Sequence, residues 1–144
     1  MSPAWWEKLG LGVRLERPAQ VWPAAVGTAM FTAVGKVCVV SIIGEVQVAA
    51  IDGACGNCSL VTETVDIATA VAITGDLVGQ RYSVATIGGA LNVAAPFTDL
   101  HQPFILWDTD QIGITITAAA TDDGQIMWTI RYHPMDEGAY VALA

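Results

Sequence analysis

Ile112-Gly113-Ile114-Thr115-Ile116-Thr117 and Ile126-Met127-Trp128-Thr129-Ile130-Arg131-Tyr132-His133 are the two runs whose reading decides the fold. In both, every second residue is large and apolar. A strand turns successive side chains to opposite faces, so this period predicts a buried face of isoleucines and aromatics. The opposite face presents threonines and Arg131. Between the runs, Thr121-Asp122-Asp123-Gly124 has turn composition, with a glycine that accepts positive φ. Together they predict a β-hairpin.

The same signal extends upstream. Val37-Cys38-Val39-Val40-Ser41-Ile42-Ile43 is β-branched and apolar, as a core strand is, and Gly44 follows it. Glu45-Val46-Gln47-Val48 alternates like a half-exposed strand. Residues 59–63, 65–73 and 80–87 read as further strands, with 90–94 and 104–107 as weaker ones. No helical period, heptad or internal repeat is visible. Short strands separated by turns every ~8–12 residues predict an all-β body, a jelly-roll-like β-sandwich or a small barrel.

Composition narrows the partners. Of 144 residues, 53% are hydrophobic and 14% charged, which excludes a disordered chain. Six Lys and Arg against fourteen Asp and Glu give a net charge of -8, which repels phosphate backbones, so no nucleic-acid partner is expected. No membrane partner is expected either. The longest uncharged stretch, Pro18 to Gly35, is interrupted by Pro23 and two glycines. Residues 1–12 lack a basic start followed by an apolar run, so the chain is read as made and folded in a cytosol.

Residues 1–25 differ from the rest. They hold Trp5, Trp6 and Trp22, three of the five tryptophans, together with Pro3, Pro18, Pro23, Gly10 and Gly12. This predicts an extended N-terminal arm over 1–25 and a β-sandwich body over 26–144. Residues 1–36 carry four basic and two acidic groups, whereas twelve carboxylates face only Arg81 and Arg131 beyond. Indoles on such an arm either fold back on their own core or anchor it to a neighbour, and on the second reading Trp5, Trp6, Arg14, Arg17 and Trp22 are the candidate partner-binding residues.

Motifs for chemistry are sparse. Cys55-Gly56-Asn57-Cys58 offers half of a zinc site, a redox pair, a local disulfide or two free thiols. Its flanks read as turn and strand, which favours a structural role. Asp108/Asp110, Asp122/Asp123 and Asp136/Glu137 fall where turns are expected. His101 and His133 precede turns, and none of the four serines sits in a nucleophile elbow. No catalytic, cofactor-binding or metal-binding residue is assigned, and the chain is read as a non-enzyme.

Gly124-Gln125-Ile126-Met127-Trp128-Thr129-Ile130-Arg131-Tyr132-His133-Pro134-Met135-Asp136-Glu137-Gly138-Ala139 resembles the closing strand of small virion proteins of tailed bacteriophages, which ends in G-x-I/V-x-W-x-L/I-R-Y-x-P-L-x-x-G-A-x-V. Val21-Trp22-Pro23-Ala24-Ala25, Phe31-Thr32-Ala33-Val34-Gly35 and Ile42-Ile43-Gly44-Glu45-Val46 resemble the opening of their β-body. The likeness spans about residues 21–142. It implies a capsid decoration (cement) protein on the outside of the virion, self-associating, with a trimer favoured, and bound to the major capsid protein. Two rival readings are a host-recognition module of a tail or fibre, and a metal-dependent enzyme using Cys38, Cys55, Cys58 and a histidine.

Overall fold

The computed structural model describes residues 12–21, 28–48, 57–62, 66–73, 76–93, 103–116 and 125–144. These residues form eleven strands and no helix. In chain order they are β1 (Val13–Val21), β2 (Thr28–Val34), β3 (Val37–Val48), β4 (Asn57–Val61), β5 (Asp66–Ala72), β6 (Arg81–Ser83), β7 (Asn92–Val93), β8 (Phe104–Leu106), β9 (Gln111–Ile116), β10 (Gln125–Pro134) and β11 (Tyr140–Leu143).

Two antiparallel sheets result, which places the chain in the all-β class of sandwiches and small barrels. Sheet A runs β1-β10-β3-β6-β7, with β8 pairing the start of β3; sheet B runs β11-β2-β9-β4-β5. One core joins them. Val39, Ile42, Val46, Trp128, Ile130 and Tyr132 come from sheet A, and Phe31, Leu60, Ile67, Ile112, Ile114 and Val141 from sheet B.

The alternation along 126–132 is realised on β10, whose residues are buried and half-buried in turn from Gln125 to His133. The hairpin is not. β10 pairs β1 on one side and β3 on the other, while β9 pairs β2 and β4 in the opposite sheet. Both edges of both strands are thus occupied, and the chain between them changes sheets. Period and turn chemistry are local signals, and a sheet-to-sheet connection satisfies them equally well. The turn residues 121–124 lie outside the described residues.

Two further expectations change. The core strand at 37–43 and the half-exposed strand at 45–48 are one strand, β3, continuous through Gly44. Residues 13–21, expected within a free arm, form β1 and pair β10 from Val13↔Tyr132 to Val21↔Gln125. Pro18 and Gly12 concealed this strand. Proline is nonetheless tolerated on a sheet edge, where its missing N–H faces no neighbour, and β1 is such an edge, with a register shift between Arg17 and Gln20.

Gly44 is the residue that lets β10 and β3 close. Its position pairs Trp128, and a Cβ built there would lie 2.8 Å from the indole. The bare backbone is therefore the seat of the ring. Tyr82 stacks on the same indole at 6.4 Å between centroids and donates its hydroxyl to Asp76 at 2.6 Å. Gly44→Ala is expected to lower stability by about 1–3 kcal/mol through overpacking. Urea unfolding followed by tryptophan fluorescence measures this, and a change within ~0.5 kcal/mol would show that the ring has room to move.

Candidate functional site

Of the five residues expected to bind a partner, Trp5, Trp6 and Trp22 lie outside the described residues. Arg14 and Arg17 sit on β1 but point opposite ways, as alternation requires. Arg14 is exposed and bridges Glu16 at 3.2 Å. Arg17 is buried, at 8% exposure. Its Nη1 donates to the carbonyl of Met30 at 2.7 Å and to that of Ala144 at 2.8 Å. Burial lowers its pKa from the ordinary arginine value, yet arginine stays charged in proteins. Arg17 thus ties the edge of sheet A to the β2 and β11 side of sheet B. This corrects its reading as a partner-binding residue: it is a staple between the sheets.

The cysteines and histidines do not assemble. Cys38 and His133 are half-buried at paired positions of β3 and β10, whereas Cys58 is a free, fully buried thiol on β4 in the other sheet. The proposed metal set of Cys38, Cys55, Cys58 and a histidine is therefore split between the two sheets. Cys55 and His101 lie outside the described residues. Among the described residues no three His, Cys, Asp or Glu side chains converge on a point. Burial pushes the Cys58 thiol up to about 12, far from the range of a reactive cysteine.

Three of the paired acids, Asp108, Asp110 and Asp136, build turns, while Asp122 and Asp123 lie outside the described residues. Asp108 accepts from the Gly35 N–H at 2.9 Å, Asp110 from the Trp107 N–H at 2.9 Å, and Asp136 from the Lys36 N–H at 3.1 Å. These bonds lock three turns together, and with them an exposed apolar cluster that the sequence reading overlooked. Trp107 is 59% exposed and Tyr140 50%, with Val34 and Met135 also exposed beside them. Tyr140 pairs Val34 across β11 and β2, Met135 N–H bonds to the Lys36 carbonyl, and the Lys36 ammonium lies 5.0 Å from the Trp107 ring centroid. Thr109 holds a left-handed φ of 74° in the same turn, which costs a β-branched residue on the order of 1 kcal/mol. The Thr109 N–H bonds to the Ala33 carbonyl and the Asp110 N–H to that of Trp107, at 3.0 Å each, so the indole is presented on a fixed mount. A second apolar tip, Leu77 and Val78, lies by the far end of β3, where the Gly79 N–H bonds to the Val46 carbonyl.

A groove of about 280 Å³ crosses the outer face of sheet A. Arg14, Thr129, Met127, Ile43, Glu45 and Arg81 line it, so it spans four strands from β1 to β6. Arg81 bridges Glu45 at 3.1 Å.

Arg17→Met keeps the stem and removes both donors. It should cost about 2–4 kcal/mol, since a buried and a part-buried carbonyl lose a charged partner; a loss of partner binding with unchanged stability would restore the interface reading. Cys58 should resist iodoacetamide at pH 8 in the folded chain and react once urea is added, as read by peptide mass mapping. Because its folded pKa lies above the unfolded value, stability is full below pH ~9 and falls as the pH rises from there towards 12. Cys58→Ala should flatten that alkaline slope.

Comparison with protein-family models, with curated proteins and with solved structures finds no match for this chain.

Proposed function

We propose that the chain is a non-enzymatic capsid decoration protein of a tailed bacteriophage, made in the host cytoplasm and carried on the outside of the virion. It self-associates, most readily as a trimer, and binds the major capsid lattice. The observation that carries this reading is the pair of exposed aromatics Trp107 and Tyr140, the first on a turn held by hydrogen bonds of Asp108, Thr109 and Asp110 and the second on β11. Tryptophan and tyrosine on a rigid mount are the usual anchors of protein interfaces, because little entropy remains to be lost on docking. The sequence likeness to small virion proteins supports the same partner class.

Apolar surface occurs at both ends of β3. Val34 and Trp107 flank its start, and Val48, Leu77 and Val78 its end, roughly 35–40 Å apart at a strand's rise per residue. A subunit with two such ends can touch two neighbours at once. Repeated over a symmetric shell, modest contacts then sum to firm attachment.

Particles purified from infected cells should carry this polypeptide at a copy number close to that of the shell subunit. A copy number in the range of a tail fibre would move it to the tail, and absence from particles would overturn the proposal. The double variant Trp107→Ser/Tyr140→Ser should keep its melting temperature and lose at least about thirtyfold in affinity for undecorated heads. Any test of the N-terminal segment should remove residues 1–11 only, because a deletion to residue 20 also removes nearly all of β1.

A further inference from the structure

The end of the molecule that exposes Trp107 carries a charge imbalance as well as apolar surface. Asp108 and Asp110 stand in the turn that presents the indole, and Asp136 and Glu137 in the turn that follows β10. Gly35 and Lys36 lie between these turns. The Gly35 N–H bonds to Asp108 at 2.9 Å and the Lys36 N–H to Asp136 at 3.1 Å. A Cβ on Gly35 would fall 2.8 Å from that of Ala139, so the chain segments are in close contact. Asp108, Asp136 and Glu137 are exposed and Asp110 is half-buried. Set against the one ammonium of Lys36, the four carboxylates leave a local formal charge of -3.

Among the described residues no guanidinium or ammonium pairs with these carboxylates. The two ion pairs lie elsewhere, Arg14 with Glu16 and Arg81 with Glu45. Lys36 places its ammonium over the Trp107 ring, 5.0 Å from the centroid, instead of on an acid. A backbone N–H occupies one lone pair of a carboxylate and leaves its charge in place. The indole, still 59% exposed, is thus bordered by acids whose charge nothing in the turns cancels.

We infer that this end docks a basic segment of a partner protein, one that sets arginine or lysine on either side of an apolar side chain. The apolar side chain lies against Trp107, and the cations meet the carboxylates of the flanking turns, an apolar centre within a polar rim. Three observations select that occupant. Uncancelled negative charge around an apolar contact favours a positive partner and penalises a negative one. The Lys36 ammonium shows that a cation is accommodated against this ring and beside these acids. The same field repels the phosphates of anionic lipid surfaces and of nucleic acids. The inference rests on reading this surface as a docking face, and adds the chemistry of what docks there.

The test is fluorescence anisotropy of a labelled peptide, Arg-Leu-Arg-Leu-Arg, titrated with the full chain at about 0.15 M salt. Saturable binding is expected, and Gln-Leu-Gln-Leu-Gln should bind at least about tenfold more weakly. Trp107→Ser should weaken the basic peptide about tenfold. Asp136→Asn/Glu137→Gln should weaken it about fivefold, since asparagine still accepts from the Lys36 N–H while the charge is gone. Glu16→Gln/Asp66→Asn removes the same charge away from this end and should change affinity less than about twofold. Lys36→Gln should tighten binding about twofold, because it removes the competing cation. Circular dichroism checks that each variant is folded. Should the Asp136 variant unfold, Glu137→Gln alone, at an exposed carboxylate, answers with a loss of about twofold. Absence of saturable binding, equal affinity of the neutral peptide, or equal losses in the two double variants overturns the inference. Particle association is read separately on heads, so the decoration role can fail with this result standing, and the reverse.

Discussion

Trp128 lying on the bare backbone of Gly44 is the contact on which sheet A depends. β10 is the hub of that sheet, with β1 along one edge and β3 along the other, and its side chains alternate between core and surface for its full length. The largest of them fits only because its partner position has no side chain. Tyr82 closes over the same ring from β6, so one indole fastens three strands. Aromatic burial on this scale contributes several kcal/mol and fixes the register of the pairs beside it.

Around that centre the molecule uses polar groups sparingly. Among the described residues Arg17 is the buried cation, and it is spent on two carbonyls that join the sheets at one side. The carboxylates of Asp108, Asp110 and Asp136 are spent on backbone N–H groups of the turns. The consequence is a body whose remaining distinctive surface is of two kinds: rigidly mounted apolar side chains at the ends of β3, and a face of arginines across sheet A. The proposed role as a component of a larger shell makes use of the first.

Much of the fold was legible from residue order because a buried face writes itself as a period of two. Strands β9 and β10 follow from Ile112–Ile116 and Ile126–Tyr132 in that way, whereas β3 was read as two strands, an apolar run at 37–43 and an alternating one at 45–48. Pairing was less legible. Nothing in Thr121-Asp122-Asp123-Gly124 distinguishes a hairpin from a change of sheet, since the difference lies in partners far along the chain. β1 was hidden for another reason. Pro18 reads as a break, and only its place on an edge makes it harmless. Of the site, Arg14 was visible as a charge in an apolar context, whereas Arg17 looked the same and proved to be internal. Trp107 was passed over because Phe104–Trp107 is a short, weak strand signal, and its exposure depends on the turn that Asp108 and Asp110 build.

The edge formed by β1 has one more implication. It carries Arg14 and Glu16 outward, an exposed proline, and an irregularity in register after Arg17. Such an edge is a poor template for another chain's backbone. Sheet A therefore ends where β1 ends. Backbone pairing by another chain is disfavoured along this side of sheet A, which blunts one route by which a concentrated protein runs on into fibrils.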